Sequence, residues 1–151
     1  MHGMALTEIE QRFLDRQPRV HLATIGSDGE PQVKPVGFTY NSSLGTIDIT
    51  GFNMADSAKY RNVQRNPKVA LMTETGDSYA ELRGVMIRGE CEIIEGADAV
   101  REVFAAMAEA RGVPPDERPR GSADSAPKRV VLKIVPEKIT SWDHRKLGGA
   151  Y

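Results

Sequence analysis

The chain has 151 residues, carries 20 Lys and Arg against 21 Asp and Glu, and is 40% hydrophobic and 27% charged. A chain of this size suits one domain that buries roughly 70% of its unfolded surface, and this composition belongs to an ordinary globular protein rather than a disordered or fibrous one. The formal charge of −1 supplies no global field for nucleic acid or an anionic membrane, so any anion site must be local.

Cys91 is the single cysteine, which rules out an internal disulfide and a cysteine zinc cluster and agrees with a reducing compartment. No basic leader precedes an apolar run and no 18 apolar residues are consecutive, so secretion and a membrane span are not expected. A cytoplasmic location is expected.

Thr7 and Glu10 have capping-box spacing ahead of Ile9, Phe13 and Leu14, which predicts a helix from Glu8 to Arg16 ended by Pro18. Alternation from Val20 to Ile25, turn residues Ser27-Asp28-Gly29 and a second run from Gln32 to Tyr40 predict a hairpin. After a turn at Asn41 to Gly45, the branched run Thr46 to Thr50 predicts a third consecutive antiparallel strand. Asp56 or Ser57 can cap a helix that runs to about Asn66, where Asn66-Pro67 stops it before a strand from Lys68 to Thr73.

Glu81 to Glu95 reads as one long strand, with Gly84 and Gly89 marking bends or bulges. Val100, Phe104 and Met107 sit at helical spacing within Ala97 to Arg111, and Gly112 stands where a C-cap belongs. Residues 112–127 contain four prolines and almost no apolar side chain, as expected of a loop or lid. Arg129 to Val135 and Lys138 to Trp142 predict two closing strands separated at Pro136, followed by a Gly-rich tail over 143–151. Six or seven short antiparallel strands with interspersed helices predict a mainly β single domain over residues 6–142, a closed or partly closed barrel that hides its sheet edges.

Chemistry concentrates between Gly45 and Met72, where a strand end feeds Ser57, Lys59 and Asn62 at the start of a helix. Unpaired N–H groups there attract anions, and a hydroxyl and an ammonium would add a hydrogen bond and a charge for a phosphate. The plainer reading is that Asp56 or Ser57 only caps the helix and Lys59 is a solvated surface residue. Lys34-Pro35-Val36-Gly37 is either a bulged edge strand or a place where Pro exposes backbone groups to a planar ring. The histidines His2, His21 and His144 lack metal-ligand spacing, and no nucleophile arrangement surrounds Cys91, which reads as a buried strand residue. Glu90 and Glu92 share a strand face and read as solvated. No phosphate-binding loop or dinucleotide fingerprint is present.

Ser57-x-Lys59 followed by Asn66-Pro-Lys-Val-Ala-Leu71, with RGVMIRGE downstream, resembles the FMN-binding split-barrel superfamily of pyridoxamine 5'-phosphate oxidase-like proteins. Within it, ITGFNMADSAKYRNVQRNPKVAL is similar to the actinobacterial branch that uses the deazaflavin coenzyme F420. The resemblance spans Leu6 to Trp142. It implies a split β-barrel homodimer with two cofactor sites at the subunit interface, phosphate held by Ser57 and Lys59, and the ring edge facing Lys34, Pro35, Val36 and Gly37. Thr50, Gly51, Ala58 and Asn62 complete the implied site. Trp142 would reach the neighbouring subunit's cofactor, its alternative being core or dimer packing, and Arg61, Arg65 and Lys68 either meet a polyglutamate tail or form a solvated helix face.

Two departures narrow the expectation. The chain ends in SWDHRKLGGAY where the oxidases carry a Trp-Arg-Leu-like run, and Ala58 stands where their pattern often has a basic residue. The implied reaction is hydride transfer from reduced F420 to an electron-poor double bond of a small molecule, the chemistry being the cofactor's. Tyr60, Tyr79 or solvent would supply a proton, and no side chain is assigned as catalytic. The alternatives are an FMN-dependent oxidoreductase of the same fold and a non-catalytic cofactor or haem-binding protein.

Overall fold

A computed structural model describes residues 5–51, 53–117 and 129–147. Helix α1 (Glu8–Asp15) starts as its spacing requires: the Thr7 hydroxyl accepts from the Glu10 N–H and the Glu10 carboxylate accepts from the Thr7 N–H. Seven strands then form one antiparallel sheet in the order β2-β1-β5-β6-β7-β4-β3. They are β1 (Val20–Ile25), β2 (Pro31–Val36), β3 (Thr39–Asn41), β4 (Thr46–Gly51), β5 (Lys68–Thr75), β6 (Arg83–Ile94) and β7 (Val130–Asp143). Helix α2 (Ala58–Arg65) joins β4 to β5, and α3 (Ala97–Ala110) follows β6.

The run expected to be one strand from Gln32 to Tyr40 is broken at Gly37-Phe38. Its halves occupy opposite edges of the sheet, β2 beside β1 and β3 beside β4. The sheet therefore curls until two segments adjacent in sequence end on its two margins, a partly open barrel. Curling follows from the twist of long strands, and the β6–β7 ladder supplies it with a bulge. Gly89 pairs with Pro136 while Arg88 pairs with Lys138, so Glu137 is the extra residue.

That bulge corrects a second expectation. Pro136 does not separate two strands; β7 runs through it as one 14-residue strand, because the bulge accommodates a residue that cannot donate to the ladder. Gly89 is obligatory there, since a Cβ would lie 2.0 Å from the Val135 carbonyl oxygen.

The barrel interior is filled by Leu22, Ile47, Ile49, Leu71, Ile87, Leu132 and Ile134, with Leu14 of α1 closing one end. Alternation on β4 puts Ile47 and Ile49 inside and Thr46 and Asp48 outside, yet all four are buried. The outer pair is covered because α3 lies over this side: Val100, Val103 and Met107 pack on Val131, and Arg111 at the helix end donates to Thr39. Past Gly112, whose φ of 71° ends α3, the expected loop contains a short helical turn at Pro115–Glu117; its residues 118–127, like 148–151 of the expected tail, lie outside the described residues. The tail begins in order. Residues His144–Leu147 form a further turn, in which the His144 N–H donates to the Leu82 carbonyl.

Candidate functional site

Two adjoining concavities lie at the seam between β2 and the start of α2. Leu22 and Thr24 on β1 and Gln32 and Lys34 on β2 share one sheet face by their two-residue period, and they meet Ser57, Ala58 and Lys59 around a cavity of about 250 Å3. A wider cleft of about 490 Å3 continues past Ser57 and Lys59 to Pro35, Val36, Gly37, Thr50 and Gly51, with Asn53, Met54 and Asp56 on its rim. Nine of the residues singled out from the sequence thus surround one connected depression: Lys34, Pro35, Val36, Gly37, Thr50, Gly51, Ser57, Ala58 and Lys59.

The local sequence explains the placement. Ser57, at φ −85° and ψ 152°, is the N-cap of α2, and its hydroxyl accepts from the Tyr60 N–H at 3.2 Å. The same hydroxyl donates to the Met54 carbonyl at 2.6 Å. Ser57 Oγ thus has an internal acceptor within the loop before α2, and it is Ser57, not Asp56, that caps the helix. Besides the Ser57 hydroxyl, the anion-attracting groups are the first-turn N–H groups other than that of Tyr60, which have no carbonyl partner within a helix, and two ammonium groups. Burial, with the nearby Lys34 charge as the second cause, holds the Lys59 pKa below its ordinary value. Two cations facing one small cavity favour a multiply charged anion between them.

Asn62 is placed differently. It is 3% exposed, donates to Thr24 and Gln32 at 2.9 Å each, and accepts from Arg65 at 2.7 Å. It ties α2 to the β1–β2 hairpin and lies behind the cavity wall instead of lining it. Trp142 lies elsewhere in the chain, in a separate cavity between α1 and the ends of β6 and β7. Neither candidate proton donor lines the cleft: the Tyr60 hydroxyl donates to the Glu95 carboxylate, and Tyr79 packs against His144, their rings tilted by 60° with centroids 4.7 Å apart.

Leu22, Thr24 and Gln32 had no signal as site residues except their common face with Lys34, legible once the hairpin register is known. Cys91 is buried, as expected, and burial pushes its thiol up to about 12. No cluster of His, Cys, Asp or Glu among the described residues has metal-site geometry, and no helix among them is long and apolar enough to cross a membrane.

Comparison with known proteins agrees with this architecture. The family model described as pyridoxamine 5'-phosphate oxidase matches residues 6–143. The 5a,11a-dehydrotetracycline/5a,11a-dehydrooxytetracycline reductase of Streptomyces rimosus is 42% identical over 141 residues, which are 92% of this chain and 84% of that protein. A conserved hypothetical protein of Mycobacterium tuberculosis superposes with a TM-score of 0.78 at 34% identity, over 98% of this chain and 91% of that one. A solved F420 reductase shares the fold with a TM-score of 0.59 at 24% identity, over 89% of this chain and 98% of that one. The barrel, its α2 seam and these relatives together make the chain an oxidoreductase that belongs to the pyridoxamine 5'-phosphate oxidase family.

Proposed function

We propose that the protein is an F420H2-dependent reductase that acts as a homodimer, with its cofactor in the β2–α2 cleft. One observation carries this reading: Lys34, Lys59 and the first turn of α2 converge on a small cavity that opens directly into a wider cleft. A phosphate fits the small end and a planar ring fits the wide one. The residues suit the group on structural grounds, because the closely placed lysines repel each other until an anion lies between them.

When bound, the deazaflavin supplies the hydride. Ser57, Lys59, Lys34 and the N–H groups at the start of α2 would hold its phosphate. Pro35 has no N–H, and the backbone beside it would meet the ring edge, with Thr50 and Gly51 lining the same cleft.

The cleft is open on one side, and a second copy of the chain is the natural wall. Five of the six residues of β2 are exposed, and Val33 is 63% exposed on this sheet edge. An unprotected apolar edge favours association. The reductase of Streptomyces rimosus supports reduction as the direction of chemistry, and conjugated polycyclic enones of the dehydrotetracycline kind are the first substrates to screen.

The test is a fluorescence titration of the apo-protein with coenzyme F420 and, in parallel, with FMN. Tighter binding of F420, followed by oxidation of F420H2 in the presence of an enone, is the expected result. Preference for FMN replaces the deazaflavin by a flavin in the same cleft, and binding of neither overturns the cofactor reading.

A further inference from the structure

Arg65 stands in the last turn of α2 and, although exposed, has a specific acceptor: a terminal guanidinium nitrogen donates to Asn62 Oδ1 at 2.7 Å. A guanidinium has donors only, so this contact fixes which end of the Asn62 carboxamide is the oxygen. The nitrogen end then faces the β1–β2 hairpin, where it donates to Thr24 Oγ1 and to Gln32 Oε1, at 2.9 Å each. Asn62 is 3% exposed. Both of its N–H groups and its oxygen are engaged, and turning the amide over would leave buried polar groups unpaired.

The consequence falls on the cavity wall. Thr24 and Gln32 can each donate and accept, and both line the small cavity beside Lys34 and Lys59. Asn62 occupies an acceptor on each of them. Their donors, the Thr24 hydroxyl proton and the Gln32 N–H groups, have no acceptor among the described residues. Thr24 is itself 3% exposed, so its donor stays costly until a ligand oxygen accepts it. The Gln32 amide has a seat of its own: a Cβ on Gly26 would lie 2.8 Å from Gln32 Nε2. Ammonium groups act as point charges that attract any nearby anion, whereas donors held in direction select an oxyanion with lone pairs to meet them.

We infer that Asn62, oriented by Arg65, is a positioning residue that makes Thr24 and Gln32 hydrogen-bond donors toward a phosphate in the small cavity. The inference rests on the reading of this cavity as the phosphate end of the cofactor cleft. It assigns Thr24 and Gln32 contacts with phosphate oxygens, and Asn62 and Arg65 none.

The apo-protein is titrated with FMN and riboflavin, and with F420 and its phosphate-free deazariboflavin core. High-salt buffer screens the mere loss of an exposed charge. Within each pair, the dissociation constant of the phosphate-free member divided by that of its partner reads the phosphate end apart from the ring. In Asn62→Leu this ratio is expected to fall by about tenfold or more, with the phosphate-free member bound as tightly as before to within about twofold. Gln32→Leu and Arg65→Met, both at exposed positions, are expected to lower it by about threefold or more and decide the matter if Asn62→Leu does not fold. Equal weakening of both members of a pair overturns the proposal, because Asn62 would then only brace the hairpin. So does a ratio unchanged in Gln32→Leu and Arg65→Met. In the unaltered protein, binding of the rings with no gain from the phosphate overturns it while leaving the cofactor in the cleft; binding of none of the four ligands overturns the cofactor reading itself, and this inference with it.

Discussion

Lys34, opposite Leu22 on the edge strand, and Lys59, in the first turn of α2, line the same small cavity, and the charge of Lys34 adds to burial in lowering the Lys59 pKa. A folded-state pKa below the ordinary 10.5 means that the charged ammonium is disfavoured by folding. The cost is present in full at neutral pH and fades only as pH rises through the lowered value. The apo-protein is thus less stable than it would be without this charge. Lys59→Met is expected to raise the apo-protein's Tm at pH 7 and to weaken cofactor binding by about 1.5–3 kcal/mol, as for loss of a charge-assisted hydrogen bond. Inorganic phosphate should raise the Tm of the unaltered protein and leave that of the variant where it is. An unchanged dissociation constant would return Lys59 to the solvated surface.

Val33 tests the assembly. Its exposed position on β2 makes Val33→Arg harmless to a single chain and unfavourable at an apolar contact with a second one. Sedimentation should register a shift from two copies to one, together with weaker cofactor binding. A variant that stays dimeric would place the interface on another face.

Asp48 is fully buried on β4, accepting from Thr46 Oγ1 at 3.1 Å and Asn41 Nδ2 at 3.4 Å. Burial raises its pKa, and the two hydrogen bonds and Lys133 oppose the rise only in part. For an acid whose folded pKa is raised, the folded state holds the proton more tightly. This contribution favours the fold at pH below 3.8 and is lost as pH rises through the raised value. Denaturation curves of Asp48→Asn and the unaltered protein should therefore diverge between acidic and neutral pH, the variant gaining relative stability toward neutral. Parallel curves would show that Asp48 titrates normally.

The two β6 glycines differ in what blocks a side chain. At Gly84 the nearest obstacle is the Trp142 ring, which can swing outward, although the Thr73 carbonyl is also within 2.7 Å; at Gly89 it is the Val135 carbonyl at 2.0 Å. Gly84→Ala should cost about 1–3 kcal/mol, as overpacking does, and shift Trp142 emission, whereas Gly89→Ala should cost more and leave the emission maximum of any folded fraction unmoved. Equal losses from urea denaturation would contradict the bulge at Gly89 as the tighter constraint.

With its thiol raised to about 12 and buried beside Pro67, Cys91 should resist maleimide in the native state at pH 8 and react completely in guanidinium. Stoichiometric labelling of the native protein would mean that the strand opens readily.

Local chemistry by itself determined much of this protein. The capping box at Thr7, the Ser57 cap, the Asn66-Pro67 stop, the period-two runs of β1 and β4 and the 3.6-period face of α3 depend on neighbours within a few residues, and each was legible. The order of Ser57-x-Lys59 and Asn66 to Leu71 carried the family. Only the tertiary structure decided that Gln32 to Tyr40 breaks and sends its halves to opposite sheet edges, and that β7 passes through Pro136 on a bulge, because both follow from the curl of the whole sheet. The same holds for the site. Lys34 and Lys59 are 25 positions apart, and only the hairpin register and the packing of α2 bring them to one cavity. Asn62, equally polar and three residues beyond Lys59, is turned inward by the helix to hold Thr24 and Gln32. Trp142 and the α1 arginines, more than 120 positions apart, share a hollow because β7 returns beside β6 over the helix that began the chain, a closure that no local pattern encodes.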